Sequence, residues 1–227
     1  MNVIETKNLK KIYSQGEIKV NALNDVSVSF KQGEFTAIVG PSGSGKTTFL
    51  NTVGGLDKPT SGNVMIDNLD ITKLKANKII DFRLRNIGFV FQSYNLIPVL
   101  TAKENIEFIM LMQGYSEAKR NERALELLDA VGLSSEAKRR PGQLSGGQQQ
   151  RVAVARALAS KPKFILADEP TANLDSTSTK NLLDIMYDLN RKEKMTFIFS
   201  THDQRVIDRA KRVITLEDGK ILSDKTT

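Results

Sequence analysis

Four short apolar runs recur along the chain: TAIV (36–39), GFVF (88–91), FILA (164–167) and TFIFS (196–200). Each is nearly continuous in apolar character, which is how strands buried on both faces of a parallel sheet read. Between them lie stretches with helical spacing, 46–55, 75–85, 146–160 and 177–190. Alternating strand and helix predicts a layered α/β core. The first 35 residues behave differently: VSVSF (26–30) alternates apolar and polar positions, and SQGE and KQGE are turn-like, which predicts antiparallel strands. The stretch between Gln92 and Gln143 contains no clear strand. Thr101 with Glu104 three residues later forms a capping box ahead of an apolar helix, and a second amphipathic helix runs from Ser116 to Gly132,. We therefore read 93–155 as a helical insertion into an α/β core made of 1–92 and 156–227. The close, VITLEDGKILSD, predicts a hairpin turning at Asp218-Gly219,.

In open α/β sheets ligands gather at the carboxyl ends of the strands, so the residues following each apolar run carry the chemistry. TAIV is followed by GPSGSGKTT: Gly40, Pro41, Ser42, Gly43, Ser44, Gly45, Lys46, Thr47 and Thr48. GFVF is followed by Gln92, FILA by Asp168 and Glu169, and TFIFS by Thr201, His202 and Asp203. The first set fits G-x-x-x-x-G-K-[ST], in which glycines turn backbone N–H groups inward around a phosphate and a helix N-terminus adds partial positive charge. Lys46 is then expected to reach the β- and γ-phosphates, and Thr47 to bind Mg²⁺. Asp168 would hold the same ion and Glu169 would orient a water for attack on the γ-phosphate. His202, the chain's single histidine, is placed to donate a hydrogen bond to the γ-phosphate, and the Gln92 amide to contact both Mg²⁺ and the water. Tyr13 is a candidate for stacking on adenine; as a tyrosine in a β-hairpin it is equally an ordinary packing residue.

Composition narrows the partners. The absence of cysteine removes disulfides and thiolate metal sites,. The chain opens on a polar segment, with no secretory pattern, and its apolar runs fall far short of the roughly 20 residues that a membrane span needs, so a soluble protein is expected. A net charge of +7 is spread along the sequence without a dense basic run with interleaved aromatics. No nucleic-acid partner is expected on that basis. A solvated basic surface is the plain reading, and proximity to an anionic membrane leaflet the next.

A second glycine-led helix start raises its own question. In QLSGGQQQRVAVARAL (143–158), two glycines stand where a helix begins, although the chain already has a phosphate loop. Together these residues resemble the ATP-binding-cassette (ABC) ATPases over essentially the whole chain. GPSGSGKTT is similar to the Walker A motif, FILADE to Walker B, LSGGQ (144–148) to the signature, NLD (173–175) to the D-loop, Gln92 to the Q-loop and His202 to the switch histidine. The resemblance implies a P-loop (RecA-like) α/β core with an N-terminal antiparallel β subdomain and an inserted α-helical signature subdomain. It implies ATP with Mg²⁺, and two copies pairing head to tail on ATP so that Ser145, Gly146, Gly147 and Gln148 contact the nucleotide held by the partner. Asp175 joins the same interface, and Tyr13 matches the adenine-stacking aromatic.

The segments at 16–62 and 87–106 further resemble the macrolide-exporter, lipoprotein-releasing and haem-exporter branch. This implies export or mechanical transmission through an integral membrane permease, with the ATPase peripheral on the cytoplasmic face. The permease's coupling helix would enter a groove near 92–105, with Phe91, Tyr94, Leu96, Ile97 and Leu100 as candidate lining. A soluble ABC ATPase of the iron–sulfur assembly type, or a cell-division regulator without transport, is the alternative. A GTPase is disfavoured because N-K-x-D is absent.

Overall fold

The structure of the protein, a computed structural model, describes residues 1–16 and 18–226. In chain order the elements are β1 (Asn2–Gln15), β2 (Ile18–Lys31), β3 (Phe35–Val39), α1 (Lys46–Val53), β4 (Ser61–Ile66), β5 (Leu69–Asp70), α2 (Ala76–Asn86) and β6 (Ile87–Val90). They continue with α3 (Ala102–Met112), α4 (Glu117–Ala130), α5 (Gly146–Ala159), β7 (Phe164–Asp168), α6 (Ser176–Glu193), β8 (Thr196–Ser200), α7 (Gln204–Ile207), β9 (Arg212–Glu217) and β10 (Lys220–Thr226).

Two sheets organise them. The antiparallel sheet has the order β2-β1-β4-β5, and the larger sheet the order β10-β9-β3-β8-β7-β6. Within the larger sheet β9, β3, β8, β7 and β6 run parallel, and β10 pairs antiparallel with β9. The apolar runs behave as their composition requires. In β7, Phe164 and Leu166 face one core while Ile165 and Ala167 face the other; in β8, Ile198 joins the first and Phe197 and Phe199 the second. One core packs α1 and the antiparallel sheet against the parallel strands, and the opposite one packs α3, α4, α5 and α6. Each fully buried phenylalanine on these faces contributes about 1.5–3 kcal/mol relative to an exposed one.

Several local expectations hold. Thr101 Oγ1 accepts from the Glu104 backbone N–H at 3.2 Å and Glu104 Oε2 accepts from the Thr101 N–H at 2.8 Å, closing the capping box. Asp218 (φ 46°) and Gly219 (φ 73°) both turn left-handed between β9 and β10, as a tight hairpin demands. Other details differ. The helix read over 46–55 stops at Val53, because Gly54 and Gly55 follow and Gly55 takes φ +65°. Strands β4 and β5 were not expected; they form around Asp67 (φ 45°) and Asn68 (φ 65°), a tight turn whose residue types tolerate the left-handed region. Helix α5 runs unbroken from Gly146 to Ala159 and packs on β6, so the boundary placed at 155/156 falls inside one rigid element.

Candidate nucleotide site

The phosphate loop spans Gly40 to Gly45, between β3 and α1. Its glycines at 40, 43 and 45 take φ of +150°, +80° and +101°. A Cβ on Gly40 would lie 2.0 Å from Leu216 O, and one on Gly45 would lie 2.2 Å from Ala22 O; both are backbone atoms that cannot swing away. At Gly43 a Cβ would meet nothing within 4 Å. The loop is thus wedged on its protein side and open on the other. Ser44 is buried, and its Oγ has no hydrogen-bond partner, a costly arrangement that an incoming acceptor would relieve. Lys46 Nζ donates to Gly40 O at 2.8 Å and Pro41 O at 2.9 Å, so the ammonium curls over the loop's own carbonyls.

Neighbouring strand ends bring the acids alongside. Thr47 Oγ1 donates to Asp168 Oδ1 at 3.1 Å, joining the start of α1 to the end of β7. Glu169 adopts φ +45°, left-handed for a non-glycine, and its N–H donates to Ser200 O at 2.9 Å. Such strain costs about 1–3 kcal/mol and persists only where the surroundings impose it. It aims the carboxylate at His202, whose Nδ1 lies 2.8 Å from Glu169 Oε1; Glu169 Oε2 is buried without a partner. The neighbouring Asp203 caps α7, and hydrogen bonds from Arg205, with a further one from Thr171, hold its carboxyl down at about 2 against the opposing effect of burial. Thr201 N–H donates to Ile38 O at 3.1 Å and ties this loop back to β3.

Gln92 follows β6 and is exposed, its backbone O accepting from Asn173 Nδ2 at 3.1 Å. Beyond it, Tyr94 (φ 56°) and Asn95 (φ 49°) are two consecutive left-handed residues. Arg156 on α5 holds them: its guanidinium donates to Tyr94 O at 2.9 Å and Asn95 O at 2.5 Å. Desolvation pulls the Arg156 pKa below the usual arginine range.

Tyr13 stands on β1. Its hydroxyl donates to Asp57 Oδ2 at 2.5 Å, Lys11 Nζ donates to Asp57 Oδ1 at 2.5 Å, and the Lys11 ammonium sits 4.8 Å from the Tyr13 ring centroid. Burial and the carboxylate push the Tyr13 hydroxyl up, and Asp57 is held low by Lys11 and Tyr13 although burial opposes this. The ring is held in place, with its polar end occupied.

Ser145 caps α5, with Gln148 completing a reciprocal capping box: Gln148 N–H to Ser145 Oγ at 3.2 Å and Ser145 N–H to Gln148 Oε1 at 2.8 Å. These bonds keep the helix start ordered without involving the chain's own phosphate loop. A Cβ on Gly146 would meet the Tyr94 hydroxyl at 2.8 Å, and one on Gly147 would meet Ser178 Oγ at 2.6 Å. A side chain at either position would therefore have to displace the Tyr94 hydroxyl or the Ser178 side chain. Asp175 caps α6, accepting from Ser178 N–H and Oγ, which lowers its carboxyl pKa.

The structure thus gathers Lys46, Thr47, Asp168, Glu169 and His202 around the phosphate loop, while Ser145 to Gln148 lie on a separate helix start. A cavity of about 370 Å³ is lined by Leu56, Ile80, Leu84, Phe89, Phe91 and Ile109. Phe91 belongs to it, Tyr94 packs against Gly146, and Leu96 joins the core with the helices. Arg156, Asp57 and Gln150 escaped the sequence reading. Nothing in a sequence spacing reports a side chain that bonds a distant backbone carbonyl.

Known proteins share this fold. A family model described as "ABC transporter" matches residues 23–172. The chain is 47% identical over 219 residues to an ABC transporter ATP-binding protein of Thermotoga maritima, covering 96% of this chain and 93% of that one. It is 46% identical over 222 residues to the macrolide export ATP-binding/permease protein MacB of Hyphomonas neptunium, covering 98% of this chain but only 34% of that protein. Among solved structures it is similar to a dimeric, post-hydrolysis ATP-binding cassette, MJ0796, bound to ADP and Pi, with a TM-score of 0.91, 44% identity and 98% of each chain covered. The corresponding cassette protein of Methanocaldococcus jannaschii is 46% identical over 223 residues.

Proposed function

The chain belongs to the ABC transporter family and is an ATPase of the cassette type; from that premise we propose that it powers a membrane permease, closing against a second copy of itself on ATP to drive export or mechanical transmission. The observation that carries the hydrolytic part is the meeting of Thr47, Asp168, Glu169 and His202 beside the phosphate loop. The wedged glycines, the open side at Gly43 and the unpartnered Ser44 hydroxyl fit a triphosphate. Lys46 exchanges its loop carbonyls for β- and γ-phosphate oxygens. Glu169 accepts a hydrogen bond from the attacking water and aligns it; as the new P–O bond forms, the bond to the β–γ bridging oxygen breaks, ADP carries off that electron pair, one water proton stays on the hydrogen phosphate product and the other is released through Glu169 to solvent. His202 donates to the γ-phosphate, and Gln92 closes over it from the β6 end. Among the described residues no group of three or more His, Cys, Asp or Glu side chains is arranged to hold a metal ion by itself; the Thr47 hydroxyl, the Asp168 carboxylate and the Gln92 amide oxygen are hard donors that would hold Mg²⁺ together with the phosphates. When bound, Mg²⁺ neutralises charge developing on the phosphate oxygens. Tyr13 supplies the face for adenine.

The second phosphate-binding helix start, Ser145 to Gln148, belongs to the partner's ATP, with Asp175 beside the interface. The permease role draws support from the likeness to MacB and from the apolar cavity beside Phe91. No helix among the described residues is long and apolar enough to cross a membrane; the proposal places the ATPase on the inner face of the membrane, held there by the permease. The test mixes two variants, both carrying Glu169→Gln: one adds Lys46→Ala, the other Ser145→Arg. Sharing across the interface predicts that the mixture occludes ATP at about half the stoichiometry of the Glu169→Gln parent, while neither variant alone does so. A mixture no better than its components, with heterodimers confirmed, overturns the shared site.

A further inference from the structure

Gln150 lies five residues beyond the α5 N-cap and is fully buried. Strands β6 and β7 are parallel neighbours, in register up to Val90 and Ala167. Beyond that point the chain runs from β6 through Phe91 to Gln92, and from β7 through Asp168 and Glu169 to Pro170. The side-chain amide of Gln150 reaches both segments: Nε2 donates to Pro170 O at 2.8 Å and to Phe91 O at 3.4 Å. One NH₂ group has two N–H donors, and here two strand-end carbonyls take them. One acceptor belongs to the residue before Gln92, the other to the residue after Glu169. The opposite end of the amide, Oε1, is buried with no partner. A glutamine retained only for stability is poorly served by such an arrangement, because an unsatisfied buried acceptor carries its full desolvation penalty.

We propose that Gln150 is a positioning residue for ATP hydrolysis, holding the Gln92 and Glu169 segments at a fixed separation and tying both to the signature helix. It touches no reacting atom and acts through Glu169 and Gln92. Their alignment with water and the γ-phosphate is the kind of geometry in which a 1 Å error costs up to about 10²-fold in rate. The inference rests on the assignment of Glu169 and Gln92 to hydrolysis, and deepens it: the helix that addresses the partner's ATP is hydrogen-bonded to Phe91 and Pro170, the residues next to the hydrolytic ones of its own chain.

The test separates positioning from packing. Gln150→Met keeps volume and flexibility, removes both N–H bonds and also removes the orphaned oxygen. Its melting temperature is expected to stay close to wild type. Its kcat is expected to fall about tenfold or more, with KM for ATP changed less than twofold, since Tyr13, Lys46 and the phosphate loop are untouched. Gln150→Ala leaves the carbonyls to water; assayed below its own melting temperature it shows the same loss of kcat at unchanged KM, and it decides the matter should the Met variant not fold. Wild-type kcat in a folded Gln150→Met, or in Gln150→Ala if that alone folds, overturns the proposal. So does a rate loss that only tracks a fall in melting temperature. Glu169→Gln is the control: if it still turns over, the hydrolytic assignment fails first; if it is inactive while Gln150→Met is normal, only the positioning role fails.

Discussion

Two glycines of the phosphate loop share a left-handed backbone but differ in what surrounds them, which makes Gly45→Ala and Gly43→Ala a matched pair. At Gly43 (φ +80°) an added methyl meets nothing within 4 Å, so its cost is conformational, about 1–2 kcal/mol for a left-handed L-residue. At Gly45 (φ +101°) the methyl carbon would sit 2.2 Å from Ala22 O and 3.3 Å from Leu23 Cδ2. A carbon–oxygen contact tolerates about 3.3 Å, so loop and strand must part by about 1.1 Å, the difference of those two distances. Neither side gives easily. Ala22 O is also confronted by Gly219, whose N–H donates to Ser44 O at 3.1 Å and whose O accepts from Asn24 N–H at 2.8 Å. Overpacking of this kind adds about 1–3 kcal/mol. For a chain of this size each kcal/mol lowers the melting temperature by about 2–4 °C. Gly43→Ala should therefore melt about 2–8 °C below wild type and Gly45→Ala, with the steric cost added, about 4–20 °C below. Thermal unfolding followed by circular dichroism measures the difference, and calorimetric ATP titration measures how far Lys46 and Thr47 move with Gly45. Equal melting temperatures for the two variants would refute the steric reasoning.

Two further outcomes follow from contacts described above. Tyr13→Ala should weaken ATP binding about tenfold, in line with about 1–3 kcal/mol for base–aromatic stacking, and leave inorganic triphosphate binding unchanged; equal losses for both ligands would remove Tyr13 from the adenine site. Asp203, held at about 2 against an ordinary 3.8, is depressed in the folded state, so its contribution is present above about pH 4 and is lost as pH falls toward 2. The shift of 3.8 − 2 = 1.8 corresponds to about 2.4 kcal/mol before screening, and with Arg205 45% exposed about 1 kcal/mol remains. Urea denaturation of Asp203→Asn should show that gap at pH 7 and a shrinking one below pH 4; a pH-independent gap would count against the assignment.

The parallel core could be read from the sequence because β7 and β8 need apolar residues on both faces, and that leaves runs such as FILA and TFIFS. Strands β4 and β5 escaped notice because Ser61–Ile66 mixes small and polar residues with only Val64 and Ile66 buried. The positions of the polar residues at the strand ends were equally legible, because each apolar run stops where they begin; neither an Asp-Glu pair nor a lone histidine singles itself out, and it is the phosphate-loop motif on the same sheet edge that draws attention to them. The supports were not legible. Arg156 and Gln150 lie in a helix whose pattern predicts only packing, and their partners are backbone carbonyl oxygens far away in the chain, some 60 residues earlier for Tyr94 and Phe91 and 20 residues later for Pro170. A backbone acceptor has no residue type, so no spacing can announce it. Asp57 was hidden for a different reason: its partners Lys11 and Tyr13 sit on another strand, and its loop reads as a simple turn.

Helix α5 has a mechanical consequence. At 1.5 Å per residue its 14 residues make a rod about 21 Å long, and beyond Gly147 it contains no glycine or proline at which to bend,. One end is capped at Ser145, Gln150 enters the strand-end loops, and Arg156 grips the Tyr94–Asn95 segment and lines the apolar cavity. Three regions that could have moved independently therefore share one coordinate. The capped end, the Phe91 and Pro170 carbonyls and the Tyr94–Asn95 segment are thus fixed to one rod that has no hinge between them.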